Sequence, residues 1–477
     1  MTAADNPFLQ SAEADVQAQS RALRRELGIV DLALAQILIV MVPEFYGTAV
    51  KAGNAHVVLW LLAIVLFFIP HAYVVAYLNR LMPLEGGIYE WARLAFSDRT
   101  GFLTAWNIWL LQTIQVSQIA LVATTYISFA APRISGIASR PPALIAASVA
   151  LIAVMMMFAR YGLRVGKWVN NTGSVVTVLI LTVLIFLPYV HVWRGTLPAY
   201  HPLPLALPTM TLFSLSVFSR MTFGALSGFE TVAIFSGESH NPGRNLARSI
   251  LVTAPVIALL YILGTSAILA FVSPDAVDVI GPVPQAITRG FAMFGVTGSL
   301  TFVVVILLLL NYLCSYTLYF SANARLPMVA GWDHLLPGWF TLLHPKYRTP
   351  INSIVFMGGV ALASSLAVLV GAGNQESFAL LQTWAWTFYG LAYMTMFAIP
   401  LFSAKRKGLR PGALLRAGAA SGFLVTLLFV ATSVVPIVEV ASAWKYSLKI
   451  VLVVIGANLL GWLLYRAGRR KMPVKSS

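Results

Sequence analysis

Twelve segments of about 20 predominantly apolar residues recur along almost the whole chain, and each is long enough to cross a bilayer as an α-helix. The segments are 29–51, 55–79, 101–130, 142–160, 168–190, 208–236, 246–272, 294–322, 351–371, 377–403, 412–436 and 446–466. Only 10% of the residues are charged, against roughly 25% in an average soluble domain. The expected fold class is therefore an all-α polytopic membrane protein with twelve transmembrane helices.

The basic residues are distributed unevenly between the two sides of the predicted membrane domain. Seven of the 32 Lys and Arg residues lie in loops on one side, and all but one of the others lie in loops and tails on the opposite side. The seven are Lys51, Arg133, Arg140, Arg194, Arg289, Lys445 and Lys449. Because cytoplasmic loops carry the excess of basic residues, we expect a plasma (inner) membrane protein with both termini in the cytoplasm. The net charge of +16 then serves topology and contact with anionic membrane lipids, so nucleic acid is not an expected partner.

The first apolar segment is interrupted near its middle by Pro43 and Glu44. Proline disrupts the hydrogen bonding of the preceding turn, and a carboxylate at bilayer depth costs on the order of 3 kcal/mol. The sixth segment is interrupted at a similar depth by "GALSG", residues 224–228, which is followed by Glu230. Irregular backbone at this depth is tolerated only where it is buried in protein or lines a cavity. Both segments therefore predict a polar site near the membrane midplane.

Interrupted helices at corresponding positions of two halves indicate a transporter built from inverted repeats, with its substrate site at the midplane. The predicted first repeat covers residues 28–190 and the second covers 208–403. Two further helices follow over 412–466, and the cytoplasmic tails are 1–27 and 467–477. This gives a five-plus-five inverted repeat with broken helices 1 and 6, plus two extra helices.

The two breaks expose backbone groups of both polarities. The half-helices that begin at the breaks have free N–H groups, which suit a carboxylate, and those that end there have free carbonyl groups, which suit an ammonium. An α-amino acid carries both groups on neighbouring atoms and is the predicted substrate. The sequence shows no phosphate-binding loop and no nucleophile–base pair, so we expect no enzyme activity and no cofactor. Energy would come from protons or from an exchanged solute.

Three motifs carry a resemblance to a known family. "PLEGGIYEWARLAFSDRTGFLTAWNIWL" joins segments 2 and 3, and "SGFETVAIFSGESHNPGRNLARSI" covers the end of segment 6. "ARLPMVAGWDHLLPGWF" and "HPKYRTP" follow segment 8, with Arg325, Asp333 and Pro337 at the family's spacing. In these motifs, over segments 1 to 10, the chain resembles the amino acid–polyamine–organocation (APC) superfamily of permeases. The resemblance implies amino acid transport by alternating access.

The breaks and the resemblance together predict the site residues. The predicted substrate-binding residues are Val42, Pro43, Glu44, Phe45, Tyr46, Gly47, Gln112, Gln115, Phe223, Gly224, Ser227, Gly228 and Phe229. The predicted coupling or gating residues are Glu44, Glu230, Arg220, Thr177 and Trp386. Phe223 and Phe229 are also gate candidates, because a ring beside the second break would touch a bound ligand.

The sequence departs from the family pattern in two places. Relatives carry a Gly-Ser-Gly-Ile-Phe run at the first break, where this chain has Val42 to Tyr46. Proton-coupled relatives carry a lysine in the middle of segment 5, at a position that falls near Thr177 here. A proton-coupled mechanism would therefore depend mainly on Glu44, with Glu230 second.

Several of these residues also have a purely structural interpretation. Glu44 can support the start of a helix after Pro43, and Ser227 with Glu230 forms a capping-box pattern. Arg220 either lies exposed at the mouth of a vestibule or snorkels to the interface, or it pairs with Glu44 or a substrate carboxylate.

Polar and aromatic side chains elsewhere in the spans have two interpretations as well. Gln112, Gln115 and Gln118 in segment 3 either hold helices together or line the substrate path, and the resemblance turns the first two toward the cavity. Trp386 is either a gate or a packing residue. The seven histidines are expected to form no metal pair, and His71 is expected to stand alone.

Two rival functions remain open from the sequence. A permease for polyamines or other organic cations is favoured by two intramembrane carboxylates, Glu44 and Glu230, and disfavoured by Arg220. A non-transporting membrane sensor on the same scaffold is the alternative of another class. The sequence also leaves the oligomeric state open.

Overall fold

The computed structural model describes residues 28–82, 87–138, 140–161, 166–230, 242–295, 298–324, 338–347, 349–369, 373–403 and 411–469. Within these residues every regular element is a helix and no strand is present, which confirms the all-α fold class.

The helices follow the apolar segments closely. In chain order they are α1 (Ile29–Val40), α2 (Glu44–Val50), α3 (His56–Ala63), α4 (Ile69–Leu81), α5 (Ile88–Ala95), α6 (Asp98–Ser117), α7 (Ile119–Ala130), α8 (Ser135–Ala138), α9 (Pro141–Tyr161), α10 (Gly166–Trp193), α11 (Leu212–Leu226), α12 (Pro242–Leu269), α13 (Pro282–Met293), α14 (Ser299–Asn323), α15 (Ile351–Leu369), α16 (Asn374–Ala398), α17 (Ala413–Thr432) and α18 (Ala443–Arg469). Short π-helical stretches, Ile64–Phe68 and Ile399–Ser403, connect α3 to α4 and extend α16.

Ten helices in the described part of the chain are long and apolar enough to cross a membrane. An eleventh candidate span is the pair α1 and α2, which is bent by 55° at a short break. The predicted sixth segment is represented by the 15-residue apolar helix α11. The protein is thus a multi-pass helical membrane protein with ten or eleven candidate spans in the part of the chain that the structure describes. The predicted sixth span would include residues beyond Glu230, which lie outside that part.

Parts of the three family motifs lie outside the described residues. These parts are 83–86, 231–241, 325–337 and residue 348, and the range 325–337 contains Arg325, Asp333 and Pro337. The second half of predicted helix 6 lies in the second of these ranges. Its inverted-repeat relationship to helix 1 therefore stays a prediction.

The chain divides into two compact units. Unit 1 comprises the described residues of 1–101, 170–297 and 393–432, and unit 2 comprises those of 102–169, 298–392 and 433–477. Neither unit corresponds to one of the predicted repeats, because each takes residues from both halves of the chain.

Unit 1 contains the helix breaks. In it α1 packs on α12, α2 packs on α11, α12 and α13, and α17 packs on α4 and α11. Large aromatic side chains fill its interior, and several of them are fully buried. These include Tyr46, Trp60, Phe67, Phe68, Phe223, Phe229, Tyr261 and Tyr393. Dense packing of this kind holds irregular backbone in a fixed conformation.

In unit 2, α9 packs against α7, α14 and α15. Polar side chains connect its helices: Asn107 donates to the Asn458 side-chain oxygen at 2.9 Å, and Gln118 donates to the Tyr316 hydroxyl at 3.3 Å. The interpretation of Gln118 as a residue that holds helices together fits this contact.

Candidate functional site

The first break is the three-residue interval between α1 and α2. Helix α1 ends at Val40, Pro43 occupies the position before α2, and Glu44 is the first residue of that helix. Proline suits this position because its fixed φ is already helical and its missing N–H is not needed there. The break that the sequence predicts at Pro43 and Glu44 is thus present in the structure.

One tyrosine side chain bonds to two backbone groups at the first break. The Tyr261 hydroxyl on α12 donates to the Val40 carbonyl at 2.8 Å and accepts from the Val42 N–H at 3.1 Å. The Val42 N–H also donates to the Val40 carbonyl at 2.9 Å, so the tyrosine adds to the hydrogen bonding of two backbone groups at the break. Sequence reasoning did not single out Tyr261, because nothing near it along the chain marks it as a partner of residues some 220 positions earlier.

Neighbouring groups hold Tyr261 in place. Its ring stacks on Trp60 with centroids 4.9 Å apart, and the Trp60 indole N–H donates to the Thr265 hydroxyl at 3.1 Å. On another side it lies 5.0 Å from the ring of Tyr46, whose hydroxyl donates to the Leu260 carbonyl at 3.1 Å. Tyr46 is one of the predicted substrate-binding residues, and the structure places its ring against α12 as part of this support.

We expect Tyr261→Phe to lower the stability of the protein by about 1–3 kcal/mol, because it removes both hydrogen bonds of a buried hydroxyl to the break, each with a net contribution of about 0.5–1.5 kcal/mol. Thermal unfolding of the purified protein measures the effect. Tyr465→Phe is the matched control, since it removes the hydroxyl of a buried tyrosine that belongs to unit 2, whereas the break belongs to unit 1. Equal melting temperatures for the two variants would show that the two hydrogen bonds of the Tyr261 hydroxyl contribute nothing to stability.

Glu44 and Arg220 are both buried within unit 1. Glu44 is 1% exposed on α2, and Arg220 is 6% exposed on α11, where its Nε donates to the Ser216 hydroxyl at 3.3 Å. The burial of Arg220 does not agree with an exposed position at the mouth of a vestibule. Helices α2 and α11 pack against each other, so the helix that carries Glu44 contacts the helix that carries Arg220. The predicted pairing of the two side chains stays a prediction.

Gly224 lies inside α11 and is not part of an unwound segment. The prediction that it contributes to the second break is therefore wrong, and the structure gives another reason for a glycine here. A Cβ at this position would lie 2.0 Å from Cε1 of Phe45, which is far inside van der Waals contact. The missing side chain lets the Phe45 ring of α2 lie directly against the α11 backbone.

The second break begins at Ser227, after the last residue of α11. Ser227 is extended, with φ −91° and ψ 162°, and Gly228 has φ +118°, a conformation that favours glycine. The Ser227 hydroxyl donates to the Phe223 carbonyl at 2.5 Å. The continuation of the chain beyond Glu230 lies outside the described residues, so the capping-box interpretation of Ser227 and Glu230 remains a prediction.

Three side chains from distant parts of the sequence meet at the second break. His71 of α4 places Nε2 3.3 Å from the Glu230 carboxylate and 3.1 Å from the hydroxyl of Tyr393. The Tyr393 hydroxyl donates to the same carboxylate oxygen and accepts from the Gly228 N–H at 2.8 Å. On its other side, the His71 ring places Nδ1 3.2 Å from the Leu226 carbonyl. The expectation that His71 stands alone is wrong, because helix packing brings it to residues more than 150 positions away.

An aromatic shell surrounds this cluster. Phe229 stacks on Phe68 with centroids 5.0 Å apart and on His71 at 5.6 Å. Phe223 packs edge-on against Tyr393 at 5.2 Å and stacks on Phe429 at 4.7 Å. Both predicted gate residues are thus fully buried in the packing of unit 1.

The remaining predicted site residues are distributed over both units. Gln112 and Gln115 are half-buried on α6, and Trp386 is buried on α16 beside Tyr389, with ring centroids 5.7 Å apart. Thr177 is buried on α10, where its hydroxyl donates to the Gly173 carbonyl at 2.9 Å. A hydrogen bond of this kind within its own helix is typical of threonine in a membrane span, and the coupling role of Thr177 stays a prediction.

A helical membrane domain with an interrupted first span and buried intramembrane charges is typical of a membrane transporter. Residues 30–457 match the amino acid permease family, and the chain belongs to that family. The resemblance to the APC superfamily is thereby confirmed, and the protein is a permease and not an enzyme.

Several transporters are similar to between one half and four fifths of the chain. An uncharacterized transporter of Legionella pneumophila is 26% identical over 378 residues, which cover 79% of this chain and 80% of the relative. The branched-chain amino acid permease BcaP of Bacillus subtilis is 25% identical over 400 residues, which cover 76% of this chain and 80% of the BcaP chain. A probable agmatine/putrescine antiporter, AguD of Lactococcus lactis, is 24% identical over 238 residues, half of each chain.

Proposed function

We propose that the protein is a secondary active transporter that moves amino acids across the plasma membrane by alternating access. The observation that carries this proposal is the packing of α2 against α11, which places the broken first span against the helix that leads into the second break. The family match includes both of these helices. Proton symport and exchange of one solute for another are the two forms of energy coupling that this architecture supports.

Buried charges of both signs support an amino acid as the substrate. Glu44 and Arg220 lie on the two packed helices of unit 1, so a positive and a negative group are available for a ligand that carries both charges. The ammonium group of a zwitterion suits Glu44 and its carboxylate suits Arg220, so both buried charges would have a partner in the bound ligand. The similarity to a branched-chain amino acid permease over three quarters of the chain favours the same class of substrate.

A second candidate substrate is a polyamine. Two buried carboxylates, Glu44 and Glu230, suit a dication, and half of the chain is similar to a probable agmatine/putrescine antiporter. Arg220 disfavours this candidate, because a cation on the α11 side repels a ligand that carries positive charge only. We therefore rank the amino acid first.

For orientation, we propose that both termini are cytoplasmic. The support is the excess of Lys and Arg in the loops and tails on that side of the predicted spans.

A thermal-shift screen of the purified protein tests the substrate. We expect an α-amino acid to raise the melting temperature, because a ligand that binds only the folded state stabilises it by about 2.7 kcal/mol at 100 times its dissociation constant. The matched control is the amine that remains when the same amino acid loses its carboxylate, and its effect should be much smaller. A larger shift with putrescine or agmatine than with any amino acid would establish the polyamine reading instead.

A further inference from the structure

The chain between α10 and α11 presents an apolar strip on the surface of the protein. Residues 195–219 contain no Asp, Glu, Lys or Arg. Over residues 201–208, exposed and half-buried residues alternate, as expected for an extended segment that turns every second side chain outward. Leu203, Leu205 and Leu207 lie on the outward face and are 56%, 73% and 84% exposed. We call these three residues the leucine strip.

The segment that carries the leucine strip is fastened beside the ends of the neighbouring spans. The Ser266 hydroxyl donates to the Pro202 carbonyl, and Nε2 of His56 lies 2.8 Å from the same hydroxyl. Ser266 is three residues before the end of α12, about 4.5 Å along its axis, and His56 is the first residue of α3. The Tyr200 ring packs edge-on against Tyr189 of α10, with centroids 5.1 Å apart. These contacts hold the segment at the level where the spans reach the membrane boundary.

The leucine strip also continues an apolar surface of the two spans that it joins. Trp193 at the end of α10 and Leu212 at the start of α11 are both exposed. The Tyr189 ring that contacts Tyr200 lies 6.3 Å from the ring of Phe186, which is exposed on α10. Exposed apolar side chains on a membrane span face lipid, so the strip extends the lipid-facing surface of these spans.

The backbone of the segment favours lipid over a second protein chain as the partner. Contiguous exposed apolar patches mark contact with a membrane or with another protein. Pro202, Pro204 and Pro208 have no N–H, which makes the segment a poor partner for strand pairing with another chain. The missing donors also reduce the number of backbone groups that need a partner at the membrane boundary. Each leucine side chain moved from water into an apolar environment contributes about 1.5–3 kcal/mol.

Two residues at the end of α10 match the polar part of a phospholipid. Tryptophan is enriched at the membrane–water interface, and Trp193 is 83% exposed there. The next residue, Arg194, is also exposed, and its guanidinium lies 5.0 Å from the ring centroid of Phe294. A guanidinium group binds phosphate oxygens through charge-assisted hydrogen bonds. The end of α10 therefore suits the headgroup level, beside a strip that suits the acyl chains.

We propose that the leucine strip is embedded in the interfacial layer of the bilayer, with its side chains among the upper acyl chains of phospholipids and Arg194 at the level of their phosphates. In the orientation proposed above, this is the outer leaflet. The segment leads directly into α11, where the Ser214 N–H donates to the Thr211 hydroxyl at 3.1 Å. Lipid contact thus fixes the position at which α11, the helix that leads into the second break, begins.

Fluorescence quenching of the protein in lipid nanodiscs tests this placement without any substrate, so the result is independent of the proposed transport activity. Cys314 is the only cysteine of the chain, and Cys314→Ser with Leu205→Cys therefore gives a single site for a bimane label. We expect strong quenching by a phosphatidylcholine that carries a nitroxide near the top of its acyl chain. Quenching should be weaker with the nitroxide at the end of the acyl chain, and iodide in the water should have little effect.

Two further variants complete the test. Leu207→Cys in the same background repeats the measurement at a second position of the leucine strip. Asp275→Cys is the matched control, because Asp275 is exposed between α12 and α13 and a label there should be quenched by iodide and not by lipid.

Two results would overturn the proposal. Strong quenching by iodide without quenching by lipid at both strip positions would place the leucine strip in water. Protection from both quenchers would mean that protein covers the strip, and loss of this protection in nanodiscs that hold one copy would identify a second copy as the cover.

Discussion

Gly47→Ala is expected to destabilise the protein by about 1–3 kcal/mol or more, because the added methyl group meets backbone and not a side chain that can move aside. A Cβ at Gly47 would lie 2.9 Å from Cα of Val279 and 3.3 Å from the carbonyl oxygen of Asp278. The contacted loop is itself held in place. The Asp278 carboxylate accepts from the N–H groups of Ile280 and Gly281 at 2.8 and 3.0 Å. Helix α2 must therefore shift away from the loop and move Glu44 with it.

Thermal unfolding of the purified variant measures this effect, and Gly456→Ala provides the control. Gly456 lies on α18 with no atom within 4 Å of the added methyl group, so alanine there should be neutral or stabilising by up to about 1 kcal/mol, as expected from helix propensity. Similar melting temperatures for the two variants would contradict the close packing of α2 against the loop.

Arg220→Ala is expected to destabilise the protein by about 3–5 kcal/mol, the usual cost of removing one partner of a buried charge pair. The expectation rests on the predicted pairing with Glu44, and the burial of both side chains on packed helices supports it. Arg220→Ala alone would leave the buried Glu44 carboxylate without its predicted partner. Adding Glu44→Gln to this variant removes that negative charge. The double variant should therefore be more stable than Arg220→Ala alone.

A double-mutant cycle on thermal stability measures the coupling between the two side chains. Ser216→Ala serves as the control, because it removes the hydroxyl that accepts from Arg220 without changing a charge. If the effects of Glu44→Gln and Arg220→Ala simply add, the two charges do not interact, and Glu44 must be explained by substrate or proton alone.

The apolar segments and the first break could be predicted from the sequence because their signals are local. An apolar run of about 20 residues specifies a membrane helix by itself, and Pro43 with Glu44 marks an interruption within its own segment. The bounds of the long helices therefore agree with the predicted segments to within a few residues at most ends.

The polar contacts that stabilise the breaks could not be predicted in this way. Tyr261, His71 and Tyr393 lie in apolar segments without any local pattern, and each acts on backbone or side chains that are distant along the chain. Gly224 was misinterpreted for the same reason. A glycine that permits unwinding and a glycine that permits close packing look identical in a sequence, and only the position of Phe45 distinguishes them.

Uptake into proteoliposomes tests the central claim of amino acid transport most directly. The labelled substrate is the amino acid that gives the largest thermal shift, and protein-free liposomes are the control. We expect saturable accumulation of the labelled amino acid. Loss of uptake with a protonophore would indicate proton symport, and faster uptake after preloading with the unlabelled amino acid would indicate exchange. Accumulation of putrescine without any amino acid, or no uptake of any ligand that stabilises the protein, would contradict the account.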